Sequence, residues 1–229
     1  MMKFGHIPAI AVLSALTLAA PAVASEQRET ERVDRTVPIR AGGELRLKNF
    51  SGHVTITGSN RADVVVRAVR RAPRERLDHI KLQILETGSG VSIDANKKDS
   101  DWTERENNVV ETEFEIQVPV DVSLVVDVFS SDVKVKDVRG RQHVKTFSGE
   151  IEVAGAEAAL DAETFSGDIS VSLAQGASAS VDFDSFSGSL ETDVPMNYRS
   201  GNRRHVRADI GSGGTDYHFK TFSGDVRIR

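Results

Sequence analysis

Cysteine is absent from this chain of 229 residues, so no disulfide, thiolate metal site or lipid-modified cysteine contributes, and packing and hydrogen bonds must hold the fold. The marks of catalysis are missing as well. Gly-x-Ser-x-Gly, His-Glu-x-x-His, a phosphate-binding Gly-x-x-x-x-Gly-Lys and a glycine-rich dinucleotide turn do not occur. His53, His79, His143, His205 and His218 lack ligand spacing, and no identifiable base marks a serine as nucleophile. A protein that is not an enzyme and carries no cofactor is expected. Tryptophan occurs once and tyrosine twice, against ten phenylalanines, and the placement of those phenylalanines organises the chain.

Long apolar segments are also scarce. The run Ile7 to Ala20 falls short of the ~20 residues that a membrane span requires and contains Pro8. It follows Lys3 and precedes Pro21-Ala-Val-Ala24, a small-x-small pattern suited to signal peptidase. Residues 1–24 therefore read as a signal peptide, with the product exported to the periplasm, or alternatively to the cell surface or exterior. No integral membrane segment is expected after cleavage. The remaining 205 residues carry 28 Lys and Arg against 34 Asp and Glu, a net charge of −6. That balance gives no general electrostatic reason to bind nucleic acid.

What the chain does hold is a repeat. His143-Val-Lys-Thr-Phe-Ser-Gly-Glu-Ile-Glu-Val153 returns as Thr164-Phe-Ser-Gly-Asp-Ile-Ser-Val171, Ser185-Phe-Ser-Gly-Ser-Leu-Glu-Thr192 and Thr221-Phe-Ser-Gly-Asp-Val-Arg-Ile228, with looser copies around Phe50 and Phe129. Phe129, Phe147 and Phe165 are spaced by 18, and Phe186 and Phe222 by twice 18. A fixed period signals a repeat architecture. The pattern predicts an all-β, single-domain β-solenoid resembling a parallel β-helix, with rungs of about 18 residues stacked ~4.8 Å apart and right-handed crossovers by default.

Stacking would align Ile151, Ile169, Leu190 and Val226 in one inward column, and Val153, Val171, Thr192 and Ile228 in another. Glycine after Phe-Ser suits a bend that resets the in/out alternation. Parity leaves the phenylalanines either inside or outside, and the inside is preferred because a large apolar stripe on a soluble surface is unusual. The wider interval from Phe165 to Phe186 is assigned to extra residues near Ala174 to Ala179, and the gap from Phe186 to Phe222 to two rungs, one degenerate.

Outside the repeats, residues 25–36 are polar and read as a flexible tether, with the domain running from 37 to 229. Arg67, Arg70, Arg71, Arg74 and Arg76 read as a solvated loop or, alternatively, an anion site. Ile80-Lys-Leu-Gln-Ile84 and Val91-Ser-Ile93 read as a hairpin. Asn96 to Asn108 reads as a long mobile loop around Trp102, which either docks a partner or folds back on the core. The glycine- and arginine-rich excursion with Tyr198, Arg199, Arg203, Arg204 and Arg207 is a second candidate binding surface. Trp102, Arg70, Arg71, Arg74, Arg203, Arg204 and Tyr198 are thus the candidate binding residues, for an envelope protein or glycan.

Gly43-Glu-Leu-Arg-Leu-Lys-Asn-Phe-Ser-Gly-His-Val-Thr-Ile56, Val118-Pro-Val-Asp-Val-Ser-Leu124 and the repeated Thr-x-Ser-Gly-Asp-Ile/Val resemble the bacterial putative-adhesin family of β-strand-repeat proteins. The resemblance implies an exported solenoid-like domain of adhesive type, and supplies no catalytic residues. The chain departs from it at Ser131, at Ser189 and in the insertion from Asn96 to Asn108.

One chemical alternative attaches to the position after each Ser-Gly. Asp132, Glu150 and Asp168 would stack there on successive rungs, where like charges repel unless solvated or bridged by a cation such as calcium. Polar residues facing water beside a turn are the favoured reading, with no metal. The leading function is an adhesin-like binding or scaffolding module of the cell envelope. The alternatives are a carbohydrate-active β-helix enzyme using those carboxylates, and an envelope-stress accessory or sensor.

Overall fold

A computed structural model describes residues 28–100, 102, 108–174 and 176–229. The expected leader lies outside the described residues. In chain order the elements are β1 (Arg28–Pro38), β2 (Glu44–Ser59), β3 (Asp63–Pro73), α1 (Arg74–His79), β4 (Ile80–Glu86), β5 (Gly90–Lys98), β6 (Glu111–Pro119), β7 (Ser123–Lys136) and β8 (Gln142–Ser148). There follow β9 (Ile151–Ala156), β10 (Leu160–Ser166), β11 (Ile169–Leu173), β12 (Ala179–Ser187), β13 (Leu190–Thr192), β14 (Met196–Gly201), β15 (His205–Ile210), β16 (Thr215–Ser223) and β17 (Val226–Ile228).

All 17 strands of the described residues belong to one hydrogen-bonded sheet, folded over at the Phe-Ser-Gly corners into two faces. On the first face, β2, β7, β8, β10, β16 and β12 run parallel in that order; on the second, β2, β7, β9, β11, β17 and β13 do the same. The expected columns form. Ile151, Ile169, Val226 and Leu190 lie in register, as do Val153, Val171, Ile228 and Thr192. Alternate residues of both faces, among them Leu47, Val126, Val144, Phe219, Ile151 and Val171, meet in one buried core, so burial of these apolar side chains drives the two faces together.

Four expectations need correction. The last repeat does not follow Phe186 in space: β16 and β17 insert between the Phe165 and Phe186 rungs. The gap before it holds no degenerate rung, because β14 and β15 form an antiparallel hairpin whose β15 covers the free edge of β12. The residues assigned to the tether form β1 from Arg28 onward, paired antiparallel along β3, because Glu31 and Asp34 meet Arg70 and Arg67 across that pairing. The arginine run is likewise no loop. It occupies β3 and α1, and α1 also takes Leu77, while β4 and β5 make the expected hairpin.

Antiparallel pairs thus flank the parallel stack, with β1, β3 and β6 beyond β2 on the second face and β4 and β5 on the first. Charged residues along β1 are exposed, which blunts an otherwise open sheet edge.

Candidate functional site: an exposed phenylalanine ladder

Three of the six corners, at Phe147, Phe165 and Phe222, share the Thr-Phe-Ser-Gly build. In the third rung Val144 and Thr146 point into the core, which leaves Phe147 pointing outward; Gly149 then bends the chain, and Ile151 points inward again. The Thr146 hydroxyl donates to the Ser131 carbonyl at 3.2 Å, and the Thr221 hydroxyl to the Gly224 carbonyl at 2.8 Å. Threonine can take the inward place because its hydroxyl satisfies a carbonyl freed by the bend. The inward preference for the phenylalanines is therefore overturned: Phe50, Phe129, Phe147, Phe165, Phe222 and Phe186 are 38–60% exposed.

Register brings these six rings into one column. Neighbouring centroids lie 4.6–4.9 Å apart with interplanar angles of 2–15°. The Arg204 guanidinium closes one end, 5.7 Å from the Phe186 centroid, at cation–π range. Two residues before each phenylalanine stands a charged side chain, giving the order Lys48, Asp127, Lys145, Glu163, Lys220 and Asp184 along the stack. Lys145 and Glu163 pair at 3.3 Å. Ladder and charged column together border an open groove of about 850 Å³.

Three of the carboxylates at this corner position serve the backbone. Asp132 accepts the Glu150 amide at 3.0 Å, Asp168 accepts the Asp225 amide at 2.8 Å, and Asp225 accepts both the amide and hydroxyl of Ser189 at 2.8 Å. Each of these carboxylates thus ties its rung to the next. Ser189 departs from the pattern because its rung ends the stack and has no further amide to hold. Among the described residues no group of three metal-ligating side chains gathers. Replacing Asp168 by alanine should lower stability by about 1 kcal/mol, the usual worth of one such bond, while Asp168→Asn should keep most of it; thermal melts of the two variants check this.

The other sequence candidates are dispersed. Arg70 is buried and donates to Glu31 and the Ile80 carbonyl. Arg71 pairs with Glu113 at 2.6 Å, and Arg74 with Asp78 and Glu29 at 3.1 and 3.5 Å. Hydrogen bonding and the adjacent carboxylate charges raise the pKa of Arg71 and Arg74, and the hydrogen bond from Arg71 holds the Glu113 carboxyl below its usual range. Trp102 stacks on His79 at 4.6 Å and donates its indole N–H to Asn108 at 3.1 Å. Tyr198, 66% exposed, lines a shallow hollow with Arg203 beside Leu190. Of the binding candidates, Arg204 alone reaches the ladder.

The C-terminal stretch, residues 122–229, matches the Toastrack DUF4097 family. A putative cell adhesion protein from Clostridium sporogenes is similar in structure, with 8% identity and a TM-score of 0.64 over 87% of this chain and 99% of that one. A putative adhesin from Bacteroides fragilis aligns over 87% of this chain and 97% of its own with 12% identity and a TM-score of 0.33. At 8% identity the likeness is one of fold. No curated protein matches in sequence. Among the described residues no helix is long and apolar enough to cross a membrane. Five of the six ladder phenylalanines fall in the segment that matches the Toastrack DUF4097 family, and over 87% of the chain the all-β fold is similar to that of the Clostridium sporogenes structure.

Proposed function

We propose that this protein is an exported, non-catalytic, adhesin-like module that binds or scaffolds in the cell envelope, periplasmic once its leader is cleaved after Ala24. The observation that carries this reading is the ladder: six apolar rings held at fixed spacing on the outer face. Exposing them forgoes the burial free energy that an inward set would collect. Contiguous apolar surface of this kind marks interaction sites.

The chemistry of the ladder favours a protein partner over a glycan. Sugars dock on ring faces, and here the faces of the inner rings are covered by neighbouring rings, so the rings offer a ribbed apolar edge instead. Cell fractionation tests the location and a photo-crosslinking residue at Phe147 tests the surface. The expected result is a periplasmic chain beginning at Ser25 that crosslinks from position 147 and not from Lys136, exposed on the second face. A cytoplasmic chain retaining its leader, or crosslinks independent of position, would overturn the reading.

A further inference from the structure

The groove beside the ladder is specific in two respects, its repeat and its charges. The six rings span five steps of ~4.7 Å, about 24 Å in all. The charged column beside them reads plus, minus, plus, minus, plus, minus from Lys48 to Asp184. Three cations and three anions cancel. A polyanion such as nucleic acid, or an anionic membrane, gains nothing along such a column, and a partner that uses it must alternate with the same spacing.

An even-numbered alternating column has a property that an odd-numbered one lacks: reversed, it is its own complement. Two copies laid face to face about a two-fold axis parallel to the strands, passing between the third and fourth rungs, keep ladder opposite ladder and reverse the rung order. Lys48 then faces Asp184 of the other copy, Asp127 faces Lys220, and Lys145 faces Glu163. All six contacts join opposite charges. Their spacing matches because both columns are set by the same strand separation.

Area supports the pairing. With a phenylalanine side chain at roughly 200 Å², the fractional exposures give the ladder roughly 550 Å² of apolar surface. A stable interface buries roughly 800 Å² per partner, so the ladder supplies most of it and the charged columns furnish a rim of satisfied ion pairs around an apolar centre. Such a dimer is isologous, the commonest closed assembly.

We propose that the occupant of this groove is a second copy of the same chain, packed ladder to ladder with the rungs reversed. The inference rests on the reading of the ladder face as the binding surface and names its partner.

The test is sedimentation of the full-length protein purified from its native cells, together with two charge variants. The wild type should sediment at twice the chain mass. Lys145→Glu places like charges opposite Glu163 at two symmetric contacts, and Glu163→Lys does the same opposite Lys145. Each variant alone should therefore associate at least tenfold more weakly. An equimolar mixture of the two should restore the dimer, because the carboxylate introduced in one variant then meets the ammonium introduced in the other, and the unaltered Lys145 and Glu163 meet at the symmetric contact.

Restoration by mixing cannot come from misfolding of either variant. A wild type that is monomeric at about 100 µM, far above a micromolar Kd, or variants that dimerise unchanged, would overturn the inference. If the monomeric wild type still crosslinked from Phe147 to a different envelope protein, self-pairing would fail while the proposed function stood.

Discussion

Phe219→Ala should cost about 3–5 kcal/mol, whereas Phe165→Ala should cost only about 1–3 kcal/mol. The two residues lie on adjacent rungs and carry the same side chain. Phe219 is fully buried, and its ring packs edge-on against Tyr217 at 6.3 Å. Truncating it leaves a cavity of ring size between two close-packed faces. Phe165 is 44% exposed and loses chiefly its contacts with Phe147 and Phe222, each worth about 0.5–1.5 kcal/mol. In a domain of this size 1 kcal/mol shifts the melting temperature by about 2–4 °C, so the first variant should melt about 10 °C below wild type and the second only a few degrees. Equal losses would place both rings in the same environment.

Gly167→Ala should rival the loss of a core ring, at about 2–6 kcal/mol, the sum of backbone strain of about 1–3 kcal/mol and overpacking of similar size. Glycine offers no side chain to lose, so the whole effect comes from what is added. Gly167 has φ 147°, and an added Cβ would stand 2.2 Å from the Gly149 carbonyl oxygen of the preceding rung. That contact is with backbone and cannot be relieved by a rotamer change. Opening it means spreading rungs whose spacing the parallel hydrogen bonds fix, including Ile151 N–H to the Asp168 carbonyl at 2.9 Å. Gly42 separates the two contributions. It also has positive φ but meets nothing within 4 Å, so Gly42→Ala should show the conformational part alone, about 1 kcal/mol. Chemical unfolding of the pair measures the difference.

The periodicity announced the columns because strand spacing forces equivalent residues of neighbouring rungs together, and Ile151 and Ile169 are paired as expected. The direction of the phenylalanines was also written in the sequence, in a signal easily passed over. Val144 lies three residues before Phe147, as Ala162 lies before Phe165 and Phe219 before Phe222. An odd separation within one strand puts the two on opposite faces. The apolar residue and threonine take the core together, and phenylalanine is left outside. Preference for burying the largest side chain competed with that parity, and parity prevailed.

Rung order was less legible, since any copy of the repeat can pair with any other through the same backbone bonds. Ser189 holds a trace of it: where Asp132, Asp168 and Asp225 each hold an amide of the following rung, Ser189 sits on the last rung, with no further amide to hold. The arginines of β3 and α1 illustrate the other limit. Their charge was plain, but Glu31, Glu113 and Glu29 lie 39, 42 and 45 residues away in sequence, and nothing local foretold that pairing.

Six phenylalanines form one outward column in the order 50, 129, 147, 165, 222, 186, and the binding surface depends on that order. A chain without cysteine allows it to be read directly by paired cysteine substitution. Cysteines at 165 and 222 would sit on adjacent rungs, within the Cα separation of about 4.4–6.8 Å that a disulfide needs, whereas 165 and 186 would stand about two strand spacings apart, roughly 9–10 Å. Under mild oxidation the 165/222 pair should crosslink in the folded protein and the 165/186 pair should not. A crosslink at 165/186 with none at 165/222 would contradict the ladder and the binding surface built on it.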